Sequence, residues 1–402
     1  MEGSKYLSGE TDIFIGRRGR VRRYLVCPLA GLFPVLIKTG SNSLAAIFRT
    51  GAVHVGITGT LAVSTSNDGG KSWSDPLEIT PRWEDSRNPA LGINSKREIV
   101  AAFVKAGLFS YEEDPKGYGL HYEGSRSERS IIEAKKGQRQ VPSPFITKSK
   151  DNGRTWTEPK SYISELIAIP SPFGRIITAP DGTLLMPIYG SPKDGKDTYG
   201  EDISVLVRSK DGGETWGDET LVVEGYNETS FAILPNGTMV AAARSFKNLN
   251  TAILFSKDMG RTCSKPVPVT RYLEHPADLT VLQSGKLLLT FGRRHPPIGC
   301  GLLLSDDSGN TWNHDREVLL AGDGRVGVMG GRILDTHQRC NLIMVILLPS
   351  SIMRMARRWL LLVNIKKGGL IYPVRPFTIE KKILVRRGVS VLNSSPLTGE
   401  EM

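Results

Sequence analysis

Cysteine is scarce, and what there is carries no pattern. Cys27, Cys263, Cys300 and Cys340 are the 4 cysteines in 402 residues, without metal-ligand spacing and without the density of a disulfide framework, so free thiols are expected. Long apolar runs are missing as well. The apolar stretch at residues 342–353 falls short of the roughly 20 residues that cross a bilayer. The opening MEGSKYLSGETDIF lacks the apolar core of a signal peptide. These absences lead to the expectation of a soluble protein with no membrane span, cytoplasmic as the sequence stands. No phosphate-cradling glycine loop, no Ser-His-Asp order and no aromatic-basic stripe occurs, which sets nucleotide chemistry, serine hydrolysis and nucleic-acid binding aside. The formal charge of +11 does not reopen the last of these. Residues 353–387 hold ten Lys or Arg against the single acid Glu380, so +9 of the +11 belongs to that window.

What is present is repetition. SNDGGKSW (66–73), SKDNGRTW (149–156), SKDGGETW (209–216), SKDMGRTC (256–263) and SDDSGNTW (305–312) share the form S-x-D-x-G-x-T/S-W. In such a unit the Asp accepts hydrogen bonds from turn amides, the Gly supplies positive φ, and the aromatic covers the turn. Each copy therefore predicts a stapled β-hairpin.

The five Asp residues, Asp68, Asp151, Asp211, Asp258 and Asp307, lie 83, 60, 47 and 49 residues apart. The shorter gaps match the roughly 40 to 50 residues of one propeller blade. Between copies, runs such as 175–179, 183–186, 203–208 and 239–244 read as strands, and Asp181-Gly182, Asn236-Gly237 and Ser284-Gly285 as the turns between them. No helical pattern competes. Five boxes plus one blade without a box predict an all-β, six-bladed propeller, with room for an irregular last blade. The wide first gap contains the polar stretch 111–141, read as a long insertion between strands: either a cover for a binding face or a solvated loop.

The repeated pattern is the Asp box, and the chain resembles the sialidase (neuraminidase) superfamily over residues 33–312. That resemblance implies a six-bladed propeller in which the boxes lie at the outer edge, so no box Asp is nominated as catalytic. It also gives meaning to NETSFAILPNGTMVAAARS (227–245), which looks like the sialidase stretch where a catalytic Glu opens one strand and a substrate-binding Arg ends the next. Glu228 and Arg244 match those positions. In sialidases the Glu draws a proton from a Tyr nucleophile, and Arg binds the sugar carboxylate with its planar fork. The alternative for the pair is a structural salt bridge across a hairpin.

TFGRRHPPIG (290–299) resembles the place of another carboxylate-binding arginine, with Arg294 the better match and Arg293 its rival. Arg49 and His54 before the first box, and Asp85 and Arg87 after it, resemble a bacterial branch of Asp-box proteins with F-R-x-G-x-x-H and D-x-R-N-P. They form either an acid/base and anion-binding cluster, with His54 and Asp85 as the proton-transfer groups, or a set of turn caps.

Three departures from the sialidase pattern matter. Gly31-Leu32-Phe33-Pro34 stands where an Arg-Ile-Pro strand would supply the first arginine. The loop 50–60 has His54 but no carboxylate, and no tyrosine occurs between Trp312 and Trp359. After residue 324 the boxes stop, and three readings compete: an unusual last blade, a basic extension, or a shifted reading frame. The last is favoured, because codons exist for 329–334 that read Trp-Glu-Val-Gly-Tyr one base later.

The expected organisation is an N-terminal segment 1–30, a sialidase-like propeller 31–324, and an atypical basic region 325–402. The expected function is removal of terminal sialic acid from glycoconjugates by an exo-α-sialidase-like hydrolase. Catalytic candidates are Glu228, Asp85 and His54; substrate-binding candidates are Arg244, Arg294, Arg49 and Arg87. No metal or organic cofactor is called for, and the partner is a sialylated or other acidic glycan. A catalytically silent carbohydrate-binding propeller and a hydrolase of another acidic sugar are the alternatives.

Overall fold

The computed structural model describes residues 22–24, 26, 32–52, 58–106, 143–193 and 201–321, with short strands at 328–329, 332–333, 345–346 and 360–362. His54, the stretch 111–141 and almost all of 325–402 lie outside the described residues. Contacts divide the chain into Met1–Lys366 and Lys367–Met402, and the architecture below is that of the first unit.

Five β-sheets follow one another along the chain, the blades of an all-β propeller. Blade 1 consists of Leu32–Lys38, Leu44–Thr50, Thr60–Ser66 and Leu77–Glu78. Blade 2 consists of Ser86–Ile93, Ile99–Lys105, Ser143–Ser149 and Lys160–Ser161. In blade 3 the first position is filled by two short pieces, Ser171–Pro172 and Ile177–Thr178, before Leu184–Gly190, Ile203–Ser209 and Gly217–Glu224. Between those pieces Gly174–Arg175 crosses over to pair in parallel with the first strand of blade 2. Blade 4 is Tyr226–Ile233, Met239–Ser245, Asn250–Ser256 and Val267–Pro268. Blade 5 is Glu274–Val281, Leu287–Arg293, Gly299–Ser305 and Val318–Ala321.

The described residues thus hold five blades, one per box, where six are expected. Beyond them Arg22–Tyr24 pairs in parallel with Leu360–Leu362, which pairs antiparallel with Val345–Ile346, and Val328–Met329 forms a hairpin with Arg332–Ile333.

Each middle strand is buried on both faces, which is why runs such as IVAAFV read as continuously apolar. Alternate side chains serve two neighbours. Ile99, Ala101 and Phe103 pack with Ile47 and Val63 of blade 1, whereas Val100 and Ala102 pack with Leu184, Met186 and Val205 of blade 3. Leu185 and Leu206 meet Phe231 and Ala241 between blades 3 and 4, and Val240 and Ile253 meet Leu279 and Leu289 between blades 4 and 5. The core is a series of seams between successive sheets.

The Asp boxes behave as their residue types predict. In the second box Asp151 accepts from the Ser149 hydroxyl at 2.8 Å, the Thr155 amide at 2.8 Å and the Thr155 hydroxyl at 2.6 Å, while the Trp156 indole N–H donates to the Gly153 carbonyl at 3.1 Å. The same bonds recur around Asp68, Asp211 and Asp307. In the fourth box half-buried Cys263 takes the aromatic position and packs on the seam between blades 3 and 4. The boxes also join blades. Gly260 has φ +80, and a Cβ on it would come within 2.7 Å of Leu206 in blade 3, so the turn of blade 4 is pressed onto its predecessor.

Candidate functional site

Antiparallel order within a blade puts the start of the first strand and the end of the second at one end of the sheet, and the box, which follows the third strand, at the other. Of the nominated residues, Glu228, Arg244, Arg294, Arg49, Asp85 and Arg87 fall at the first of these ends, and His54 lies outside the described residues. There the first strand carries one residue too many in four blades. Leu32 pairs with Arg49 but Val35 with Ile47; Arg87 pairs with Val104 but Ala90 with Ala102. Asn227 pairs with Arg244 but Ser230 with Ala242; Glu274 pairs with Arg293 but Ala277 with Phe291. Such bulges re-aim a side chain. Phe33, Asn88 and Glu228 occupy the same bulge position with φ of 51°, 50° and 36°, and His275 occupies it in blade 5.

Glu228 and Arg244 meet in blade 4, with Oε2 2.5 Å from Nη1. The Arg244 side chain is 5 % exposed and that of Glu228 15 %, so the carboxylate is the more accessible partner. The Arg244 guanidinium also lies over the Phe246 ring, 5.4 Å from its centroid. Tyr189, at the end of the second strand of blade 3, shares this neighbourhood. Burial pushes its hydroxyl pKa upward first, the negative charges of Glu228 and Asp202 add to that, and a Ser171 hydrogen bond and Arg244 oppose it. Asn88 Nδ2 donates to Ser171 Oγ at 2.7 Å and to Tyr189 Oη at 3.2 Å, which ties the blade 2 bulge to the same region.

In blade 5 the two adjacent arginines have different partners. Arg294 is buried, and its Nε donates to the His275 carbonyl at 3.0 Å. Arg293 instead ion-pairs with Glu317 and approaches Glu274 at 3.7 Å. The buried His275 imidazole is driven far below its ordinary pKa, by burial first and then by the charges of Arg294 and Arg244. Both guanidiniums thus bear on one neutral ring.

Arg49, Asp85 and Arg87 are also brought together. Arg49 Nη2 lies 2.8 Å from Asp85 Oδ1, and Arg87 Nη2 lies 3.0 Å from Asp85 Oδ2. Arg49 Nη1 donates to the Ser86 carbonyl. The arginine takes this place because residue 59 is glycine: a Cβ there would lie 2.1 Å from the Arg49 guanidinium carbon. Asp85 is completely buried. A carboxylate bracketed by two guanidiniums is well placed to orient them and poorly placed to exchange protons with a ligand.

Sequence reading did not find Tyr189, Asn88, His275 or Arg175. Arg175 reaches from the crossover between blades 2 and 3 to Asp278 in blade 5, Nη2 to Oδ1 3.1 Å. Burial raises the Asp278 pKa and Arg175 opposes the rise. Asn88 lies in the D-x-R-N-P stretch but nothing local marks it, and Tyr189 lies beyond the run 183–186 read as a strand. Among the described residues no group of three or more His, Cys, Asp or Glu gathers as a metal site would require. No helix there is long and apolar enough to cross a membrane.

The profile of the BNR repeat-like domain family matches residues 130–373, well over half of the chain. The chain belongs to the BNR repeat-like domain family, in the sialidase superfamily. A curated relative named Sialidase, from Bacteroides fragilis (strain YCH46), is 27 % identical over 192 residues, which is 44 % of this chain. The BNR repeat-like chain thus matches only 34 % of that relative's length. Solved structures agree on the propeller. A Dyadobacter fermentans protein of unknown function superposes with TM-score 0.57 at 20 % identity, covering 75 % of this chain and 86 % of that one. Hadza microbial sialidase Hz136 gives 0.55 at 23 %, covering 72 % and 58 %. The intramolecular trans-sialidase of Ruminococcus gnavus gives 0.50 at 14 %, covering 71 % and 82 %.

Proposed function

We propose that this protein is an exo-α-sialidase-like glycoside hydrolase that removes terminal sialic acid from glycoconjugates. The observation that carries the reading is the Glu228–Arg244 pair, 2.5 Å apart, with Glu228 held out of the sheet by its bulge. Its surroundings fit. Arg294 lies in the next blade, Tyr189 in the previous one, and a relative named for sialidase activity matches part of the chain. In this reading Arg244 and Arg294 clamp the sugar carboxylate, and Glu228 takes the proton of the attacking group. Arg87 extends the anion-binding surface, and Asp85 and the fully buried Arg49 hold it in position. His54 is the proton donor to the leaving group. The sheet of Arg22–Tyr24, Leu360–Leu362 and Val345–Ile346 is read as part of a sixth blade.

A second reading rests on a different observation. No tyrosine lies between residues 312 and 359, where the resemblance leads one to expect the nucleophile. A carbohydrate-binding propeller without turnover would need none. Release of a fluorescent phenol from an α-sialoside separates the two, with wild type beside Glu228→Gln. Hydrolysis is expected, with a loss of about 10²–10⁴-fold in the variant. Sialoside binding without hydrolysis by folded wild type selects the second reading, and hydrolysis of uronic glycosides alone points to another acidic sugar.

A further inference from the structure

The top of blade 5 contains more ionisable groups than a two-arginine clamp uses. Glu274 is completely buried at the start of the first strand. Its Oε2 accepts from the Arg271 amide at 2.8 Å, and its Oε1 faces His295 Nε2 at 2.9 Å and Arg293 Nη1 at 3.7 Å. Glu317 binds Arg293 and also meets Arg271 Nη1 at 2.8 Å. His295 directly follows Arg294, whose backbone N–H donates to the Leu273 carbonyl at 2.9 Å and whose Nε donates to the His275 carbonyl.

The ring of His295 is bracketed on both sides by acceptors. Nε2 faces the Glu274 carboxylate, and Nδ1 lies 3.3 Å from the Pro296 carbonyl oxygen. Neither partner can donate, and a neutral imidazole has only one N–H. Only the imidazolium serves both. Arg293 and Arg271 are both engaged by Glu317, and Glu274 Oε1 lies nearer to His295 Nε2, at 2.9 Å, than to Arg293 Nη1, at 3.7 Å, so a protonated ring is the nearest cation to the buried carboxylate. His295 is 28 % exposed, so solvent can deliver or remove its proton.

We propose that His295 is a proton-dependent latch: as the imidazolium it closes on Glu274 and holds the 294–297 turn so that Arg294 stays in position. The latch is engaged when both ring nitrogens carry a proton and released when one of them loses it. It is a positioning device that rests on the reading of Arg294 as a carboxylate-binding residue, and it acts without touching the sugar.

Two measurements on the full chain separate the latch from that reading. The first needs no ligand. Hydrogen exchange of the 291–299 segment, corrected for the intrinsic rate at each pH, compares wild type with His295→Gln and His295→Arg. Wild type is expected to lose about tenfold in protection between pH 5.5 and pH 8, whereas His295→Gln is weakly protected at both. His295→Arg, a permanent cation, is expected to stay protected at both. Equal pH dependence in wild type and His295→Gln overturns the latch. The second measurement is the KM of α-sialoside hydrolysis over the same range, expected to rise about tenfold with pH in wild type and to stay flat in the variants, kcat moving little. A latch seen by exchange with no hydrolysis at any pH refutes the sialidase reading and leaves the latch standing.

Discussion

Arg49 and Asp85 form an ion pair of 2.8 Å in which neither side chain has any solvent exposure. Asp85 also takes Arg87 on its other oxygen, so removing the carboxylate strands two guanidiniums. Asp85→Asn is therefore expected to destabilise the fold by about 3–5 kcal/mol, because a buried charge left without its partner costs more than the pair contributes. Urea unfolding checks this. A variant with wild-type stability and lost hydrolysis would return Asp85 to a direct chemical role.

Gly260 and Gly237 both have positive φ, +80° and +84°, but only Gly260 has a neighbour in the way: Leu206 Cδ2 at 2.7 Å, against nothing within 4 Å of Gly237. Gly237→Ala is expected to cost about 1 kcal/mol from backbone strain alone. Gly260→Ala adds overpacking of about 1–3 kcal/mol. Equal losses of denaturation midpoint would mean that the box does not wedge the blades.

The box carboxylates give the fold an acid limit. Asp151 has its pKa lowered from 3.8 to about 2, chiefly by the Thr155 hydroxyl and amide. A group whose pKa is lower folded than unfolded contributes stability above its unfolded value and loses it as pH falls through the folded one. Stability is expected to decline from about pH 4 to about pH 2, with a shallower decline in Asp151→Asn. Chemical denaturation at stepped pH reads the two slopes, and parallel slopes would exclude the box as the cause.

Arg244→Lys keeps the charge and loses the planar fork. An increase of about 10- to 100-fold in KM for an α-sialoside is expected, since a point charge cannot bind two carboxylate oxygens in one plane. An unchanged KM would show that Arg244 serves only its bridge to Glu228.

The box hairpins and many of the strands were legible in the chain itself. Residues 203–208 and 239–244, read as strands, lie within Ile203–Ser209 and Met239–Ser245, because alternate side chains packing on both neighbouring blades leave a continuous apolar run. The rival readings of Arg293 and Arg294 were not separable from sequence. The two are adjacent, and their directions depend on where the second strand of blade 5 ends and on Glu317, which binds Arg293. Tyr189 was invisible for a related reason: Glu228 acts on it from the next blade, and no spacing in the chain encodes that proximity.

The amino-acid sequence by itself determined what is local. Asp151 finds every one of its box partners within four residues, so the motif folds the same way wherever it recurs and its period predicts stacked sheets. Tertiary structure alone decided which charges meet. Arg175 and Asp278 lie 103 positions apart, and the Arg49–Asp85 pair depends on a glycine at 59 that leaves space for a guanidinium. Only the bulges that break register at Phe33, Asn88, Glu228 and His275 choose which side chains leave the sheet. Such register shifts depend on pairing with a second strand, and a single strand's sequence does not contain its partner.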